Sequence, residues 1–195
     1  ERVGYQRIVL DLAGRRALQP GAVHVDFSGI AKGYSVDLVA ERLQALGHTD
    51  FLVEVGGELR ACGQRPGNQP WRVAVASMAD QSTPLALPLR DMAVATSGDH
   101  WHAFEQGGRR YSHTIDPRSG EPVAHGLTSV TVLHAECMQA DALATVLTVL
   151  GPREGLDFAE QRGVAALLCE RTAQGPAMAM TTVFAALLPL SLIHI

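Results

Sequence analysis

The sequence has few aromatic residues and little excess charge of either sign. Phe, Trp and Tyr make up 5% of its 195 residues, and the net charge is −4. Its paired arginines, Arg15-Arg16 and Arg109-Arg110, are isolated rather than part of a basic stripe. Binding of a phosphate backbone needs clustered Lys and Arg, and single-stranded nucleic acid also needs aromatic stacking platforms. The composition therefore argues against a nucleic-acid partner.

Cysteine is also scarce. The three thiols, Cys62, Cys137 and Cys169, are odd in number and widely spaced. This pattern offers neither a complete disulfide set nor a zinc motif, so we predict buried or incidental thiols.

The chain has one long stretch without charge, from Thr172 to Ile195. The stretch is long enough to span a bilayer, but Gly175, Pro176 and Pro189 interrupt its apolar run, so we do not favour a membrane helix. We expect residues 1–186 to form one domain and the apolar tail 187–195 to stand outside its fold.

Apolar periodicity predicts both strands and helices. Val23–Phe27 alternates as a strand does, and Ser28-Gly29 follows as a turn and helix N-cap signal. The next helix carries an apolar stripe and ends at Gly47. The stripe consists of Val36, Val39, Ala40, Leu43 and Leu46.

The rest of the chain mixes short strands with one more helix. Strand-like runs lie at 8–10, 51–55, 58–62, 71–76, 94–98, 111–115 and 129–133, and a buried helix lies at 140–150. Because no regular strand–helix–strand spacing is present, the sequence predicts a mixed α+β fold with mostly antiparallel sheets packed with helices.

Three clusters carry groups that could perform chemistry. The first is the turn from Asp26 to Asp37, where Gly29, Lys32 and Gly33 open a helix. Free N–H groups and the positive end of the helix dipole would face an anion there. In isolation, a plain strand-to-helix turn explains this cluster better.

The second cluster is Asp141 with Thr145, whose i, i+4 spacing places both oxygens on one face of an apolar helix. A buried carboxylate must be paired or hold a metal, and oxygen ligands of this kind suit Mg²⁺. The alternative is that Asp141 caps the N-terminus of the helix.

The third cluster is a turn with His113 and Asp116, either of which could handle a proton at neutral pH. Functional groups often lie on such loops.

The order of these clusters resembles the ApbE family of FAD:protein FMN transferases. The resemblance covers residues from about Gly4 to Phe184. It rests on six motifs in this order: D-F-S-G-I-A-K-G-Y-S-V-D, V-G-G-E-L-R-A-C-G, P-W-R-V-A-V, A-T-S-G-D, R-R-Y-S-H-T-I-D-P-R-S-G-E-P-V and A-D-A-L-A-T-V-L-T-V-L-G. It implies an ApbE-like fold that lacks its N-terminal portion, because family members carry a further segment that contributes to the first strands and to the FAD pocket.

The resemblance also implies site residues. Mg²⁺ would be held by the Ala31 carbonyl, Asp141 and Thr145, and His113 would be the general base. We expect Asp116 to shape the turn and to orient His113. FAD, the substrate, would be contacted by Ser28, Lys32, Tyr34, Gly56, Gly57, Glu58 and Ile115.

The implied reaction is the transfer of FMN from FAD onto a threonine of an acceptor protein, such as a subunit of a membrane redox complex, with release of AMP. Such bacterial enzymes commonly lie in the periplasm or are anchored to the inner membrane facing it. Two alternatives stay open at this point. They are an FAD-binding carrier without transfer and a Mg²⁺-dependent hydrolase that yields FMN and AMP.

Overall fold

The chain folds around one six-stranded sheet with helices on one face and a β-hairpin and a short helix on the other. The computed structural model describes residues 4–19, 21–75, 85–98 and 104–188. The strands are β1 (Val9–Asp11), β2 (Arg16–Leu18), β3 (Phe51–Val55), β4 (Glu58–Cys62), β5 (Trp71–Val75), β6 (Leu85–Leu89), β7 (Met92–Gly98), β8 (Phe104–Gln106), β9 (Arg109–Tyr111), β10 (Leu127–His134), β11 (Ala165–Thr172) and β12 (Gly175–Met180). The helices are α1 (Ala31–Ala45), α2 (Cys137–Leu150), α3 (Pro152–Gln161) and α4 (Thr182–Leu187), and a 3₁₀ turn lies at Tyr5–Arg7.

The central sheet has the strand order β12-β11-β10-β7-β4-β3, and each neighbouring pair is antiparallel. The other strands form three antiparallel hairpins, β1–β2, β5–β6 and β8–β9. The predicted mixed α+β fold with mostly antiparallel pairing is therefore confirmed.

Both faces of the central sheet are buried around β10. On β10, Val130 and Val132 pack with Leu147 of α2, while Leu133 points to the opposite face and packs with Phe184 of α4. The β5–β6 hairpin covers the same side as α4. Because side chains alternate between faces along a strand, a strand that is covered twice reads as a continuous apolar run. This explains why residues 129–133 show little alternation.

Helix α1 ends as the sequence predicts. Gly47 takes a φ of +89°, its N–H donates to the Gln44 carbonyl, and the His48 N–H reaches back to the Leu43 carbonyl. This pair of bonds is a Schellman C-cap, which glycine favours because it adopts positive φ without a Cβ clash. The buried stripe is narrower than predicted, since Val39 and Leu46 are 44% and 59% exposed.

The prediction of a strand at Val23–Phe27 is wrong. Within the described residues this segment has no partner strand and no regular secondary structure, and only Val23 is buried. Val25 and Phe27 are 48% and 64% exposed. Alternation predicts which side chains share a face, but a strand also needs a neighbour for its backbone hydrogen bonds.

The strand predicted at 111–115 is also largely wrong. Tyr111 ends β9, and Ile115 makes only an isolated bridge with Pro122. The backbone between them instead forms a loop, which brings His113 to the surface.

The tail predicted to stand outside the fold is only partly described. Leu188 is buried in the same hydrophobic core as Phe184 and Leu133, whereas positions 189–195 lie outside the described residues. None of the described helices combines the length and the apolar character needed to cross a bilayer.

A carboxylate of α1 caps the start of α2. Buried Asp37 accepts hydrogen bonds from the backbone N–H groups of Cys137 and Met138, at 3.0 and 2.8 Å, and from the Arg60 guanidinium at 2.6 Å. The first N–H groups of a helix have no partner within it, so this carboxylate satisfies two of them from another element. The contact fixes α1, α2 and β4 relative to one another.

We therefore expect Asp37→Ala to lower the free energy of unfolding by about 3 kcal/mol, because it removes the cap and leaves Arg60 without its partner. Urea unfolding of the two proteins measures the difference. Asp157→Ala, at an exposed position of α3, is the matched control and should shift stability by less than about 0.5 kcal/mol. Equal losses in both variants would contradict the role of Asp37.

Candidate active site

The candidate site is built where α1 crosses α2 in close contact. A Cβ placed on Gly33 would lie 2.4 Å from the carbonyl oxygen of Cys137 and 2.8 Å from the Cβ of Asp141. Gly33 is therefore the residue that lets the two helices touch. Its own N–H donates to Oδ2 of Asp141 at 2.9 Å.

Asp141 lies inside α2, one turn after the helix begins at Cys137, so it is not the N-cap of this helix. That position belongs to Glu136. The Asp141 side chain is 3% exposed, and Oδ2 is held by Gly33. Its other oxygen makes no hydrogen bond to the described part of the chain. A buried carboxylate with one open oxygen is suited to a cation.

Thr145 follows one turn later on the same face of α2. Its hydroxyl donates to the Asp141 carbonyl at 3.3 Å and lies 3.3 Å from the Ser97 hydroxyl at the end of β7. A Cβ on Gly29 would lie 3.0 Å from Thr145 Oγ1, so the turn before α1 packs directly on this hydroxyl. The predicted one-face pair of Asp141 and Thr145 is present.

A cleft of about 860 Å³ collects most of the predicted site residues. They are Ser28, Lys32, Gly56, Gly57, Glu58, His113, Ile115, Asp141 and Thr145. Tyr34, Ala31 and Asp116 do not line it, and Tyr34 is 51% exposed on α1. The volume is within the range of ligand pockets.

Gly29 and Asp26 of the first cluster also face the cleft, as do Thr96 and Ser97, which were not singled out from the sequence. The quoted motifs contain each of them, but only the fold shows that the end of β7 reaches Thr145. Ala31 begins α1, and its carbonyl accepts a hydrogen bond from the Ser35 hydroxyl at 2.8 Å.

The start of α1 offers fewer free donors than the sequence suggests. The N–H groups of Ile30 and Ala31 both donate to the Phe27 carbonyl, and that of Gly33 donates to Asp141. Ser28 does not cap the helix, because its N–H and hydroxyl both donate to Asp26. These two bonds lower the pKa of Asp26. Attraction of an anion therefore depends mainly on Lys32.

Lys32 pairs with a buried carboxylate. Its Nζ lies 2.7 Å from Oε1 of Glu58, while Oε2 of Glu58 is buried and has no hydrogen-bond partner among the described residues. Burial raises the pKa of Glu58, Lys32 opposes this, and the charge of Asp141 adds to the rise. Two buried carboxylates and one ammonium leave excess negative charge, which a cation at the cleft would balance.

The Gly56-Gly57 turn joins β3 to β4 at the edge of the cleft. Both glycines have positive φ, +60° and +101°, as expected for a two-residue hairpin turn of the primed type. A Cβ on Gly57 would meet nothing within 4 Å, so the backbone here is open to a ligand.

The loop after β9 places His113, an exposed side chain, at the cleft. The loop is closed by the Ile115–Pro122 bridge and by the Asp116 N–H, which donates to the Glu121 carbonyl at 2.9 Å. The Asp116 carboxylate accepts hydrogen bonds from the guanidinium and N–H of Arg118, which lower its pKa. Asp116 thus shapes the turn. Its orientation of His113 stays a prediction.

Metal ligands here would be mostly hydroxyl, backbone and substrate oxygens. Among the described residues, no three His, Cys, Asp or Glu side chains form a metal-binding group. Asp141 with Thr145 fits Mg²⁺, which is usually held by one or two carboxylates and completed by water and phosphate.

We expect Gly33→Ala to destabilise the protein by about 2 kcal/mol, because the added methyl group must push α1 away from α2. The displacement should also break the bond to Asp141 and weaken Mn²⁺ binding, a probe for Mg²⁺. Urea unfolding and Mn²⁺ titration measure the two effects. Arg42→Ala, at an exposed position of α1 that does not line the cleft, serves as the control. Unchanged Mn²⁺ affinity in Gly33→Ala would contradict the proposed geometry.

Glu58 should make stability depend on pH. Its folded pKa is raised above the ordinary 4.5, so its contribution to stability is fully present below that value and is lost as pH rises through the folded pKa. The stability of the native protein relative to Glu58→Gln should therefore fall as the pH rises above 4.5 and through the folded pKa. Urea unfolding across this range measures it, with exposed Glu54→Gln as the control. A relative stability that rises with pH would contradict the assignment.

Comparison with known proteins shows which family the chain resembles. The ApbE family model matches residues 1–168. The FAD:protein FMN transferase of Haemophilus influenzae is 40% identical over 179 residues, which cover 89% of this chain and 52% of that protein. The one from Vibrio cholerae is 44% identical over 155 residues, 78% of this chain and 46% of the relative. The chain thus spans about half the length of these two relatives.

Solved structures of ApbE proteins are similar to this chain as well. The flavinyl transferase ApbE of Pseudomonas stutzeri, in its apo form, superposes with a TM-score of 0.86 at 44% identity, covering 95% of this chain and 57% of the other. The flavin transferase ApbE of Vibrio cholerae gives a TM-score of 0.86 at 37% identity, with 96% and 60% covered. The chain belongs to the ApbE family.

Proposed function

We propose that this chain carries the reaction centre of a Mg²⁺-dependent transferase that moves FMN from FAD onto a threonine of an acceptor protein. The observation that carries the proposal is that Asp141, Thr145, Lys32 and His113 line one cleft, although they come from three separate parts of the chain. The relatives named as FAD:protein FMN transferases support the choice of substrate.

The donor set supports a Mg²⁺ site. Asp141 and Thr145 would hold the ion, together with the backbone of the turn at 29–31 and with phosphate oxygens. In that turn Ala31 is the sequence-based candidate, and Gly29 is the residue that packs on Thr145. When bound, Mg²⁺ neutralises the charge that develops on pyrophosphate oxygens. Lys32 would add fixed positive charge beside them.

His113 would act as the base. The threonine hydroxyl oxygen attacks the phosphorus on the FMN side of the pyrophosphate and forms a phosphoester bond. The bond from that phosphorus to the bridging oxygen breaks, and AMP leaves with that oxygen. The hydroxyl proton passes to the imidazole of His113. The exposure of His113 supports this role, because the acceptor is a protein and must reach the base from outside.

The test uses FAD, Mg²⁺ and a degenerate nonapeptide library with one fixed central threonine. AMP release and FMN-peptide mass are followed together. Asp141→Asn should abolish the AMP release that Mg²⁺ stimulates in the native protein. His113→Ala should slow peptide labelling about 100-fold or more while FAD still binds. His48→Ala, at an exposed position after α1, is the control and should label peptides at the native rate.

Two outcomes would contradict the proposal. FAD binding without AMP release by the native protein would leave a flavin carrier. AMP release without FMN-peptide would indicate that water, not threonine, is the acceptor, as in an FAD hydrolase.

A further inference from the structure

A second cavity of about 500 Å³ adjoins the cleft. The two spaces share the end of β7 and the start of β10, since Ser97, Gly98, Thr128 and Ser129 line both. The two spaces therefore adjoin along these two strands. The proposed reaction uses only the first of them.

The loop that carries His113 borders both spaces. Tyr111 and Ser112 line the second cavity, while His113, Thr114 and Ile115 line the cleft. A residue entering along the second cavity would thus meet the loop immediately before His113. A general base must come within about 3 Å of the hydroxyl that it deprotonates.

The floor between the spaces is a β-bulge. The pairing of β10 with β11 shifts between Leu127 and Ser129, and the Thr128 hydroxyl donates to the Cys169 carbonyl at 3.2 Å. A Cβ on Gly98 would lie 2.8 Å from the Thr128 carbonyl oxygen, so a larger residue at position 98 would clash with the backbone of the bulge. Bulges of this kind often adjoin active sites, where they redirect side chains.

The cavity wall is tied to the helix that carries the candidate metal ligands. His125 accepts the Leu127 N–H on Nδ1 at 3.3 Å, so its Nε2 carries the hydrogen donated to the Thr148 carbonyl at 2.7 Å. Thr148 lies three residues after Thr145 on α2. This hydrogen bond fixes the wall of the second cavity relative to α2, and therefore relative to the proposed metal site.

We infer that the second cavity is the docking site for the threonine-bearing segment of the acceptor protein, an inference that rests on the proposed function. The lining hydroxyls of Ser97, Ser112, Thr128 and Ser129 suit the polar backbone of an extended peptide. Glu121 and Arg171 contribute opposite charges to the same lining, so the cavity favours neither an acidic nor a basic segment.

The test blocks the cavity after the protein has folded. Ala124 lines the cavity and is exposed, whereas the three native cysteines are buried. In Ala124→Cys, a pyrene maleimide would therefore react at position 124 and fill the cavity. Ala45→Cys, at an exposed position near the end of α1, is the matched control. Each variant is compared before and after labelling, so folding does not differ within a pair.

Labelling of Ala124→Cys should lower the rate of FMN transfer to the threonine library about 100-fold, because the hydroxyl can no longer reach its position beside His113. FAD affinity, measured by flavin fluorescence, should stay within about twofold, and labelled Ala45→Cys should transfer at its unlabelled rate.

Other outcomes overturn the inference in distinguishable ways. Full transfer by labelled Ala124→Cys would show that the acceptor docks elsewhere, with the proposed function intact. A loss of FAD affinity on labelling would assign the cavity to FAD instead. If unlabelled Ala45→Cys transfers no FMN, the proposed function itself fails and the docking site fails with it.

Discussion

The close crossing of α1 and α2 at Gly33 is the contact on which the site depends. At this crossing the backbone N–H of Gly33, in the first turn of α1, donates to the buried carboxylate of Asp141 on α2. The two residues are more than a hundred positions apart in the sequence. Asp37 fixes the same crossing from the other direction by capping α2. Neither contact tolerates much displacement, because one is steric and the other joins buried charges. The position of Asp141 in the cleft follows from both.

The sheet and its loops supply the other groups of the candidate site. The end of β7 carries Ser97 to Thr145, the β3–β4 turn brings Glu58 to Lys32, and the loop after β9 brings His113 to the open side. Each element is anchored in the buried sheet or next to it, so the ligand-facing groups rest on a rigid frame. The carboxylates of Glu58 and Asp141 carry more negative charge than Lys32 balances. This excess favours a cation in the cleft.

Local patterns in the sequence predicted much of this arrangement. The Schellman end of α1 and the shared face of Asp141 and Thr145 follow from nearby residues, so they could be anticipated. The Val23–Phe27 strand failed because alternation does not supply a pairing partner. The bonded N–H groups at the start of α1, the packing of Gly29 on Thr145 and the role of Ser97 depend on contacts between distant segments. No local pattern reports such contacts.

We propose that Asp141 and Thr145 hold a divalent cation against the pyrophosphate of FAD. Crystals grown with FAD and Mn²⁺, with anomalous diffraction recorded at the manganese edge, test it most directly. We expect one strong peak within coordination distance of Asp141 Oδ1 and Thr145 Oγ1 and in contact with phosphate oxygens. Bound FAD with no peak at this position, or with manganese at a site remote from α2, would contradict it.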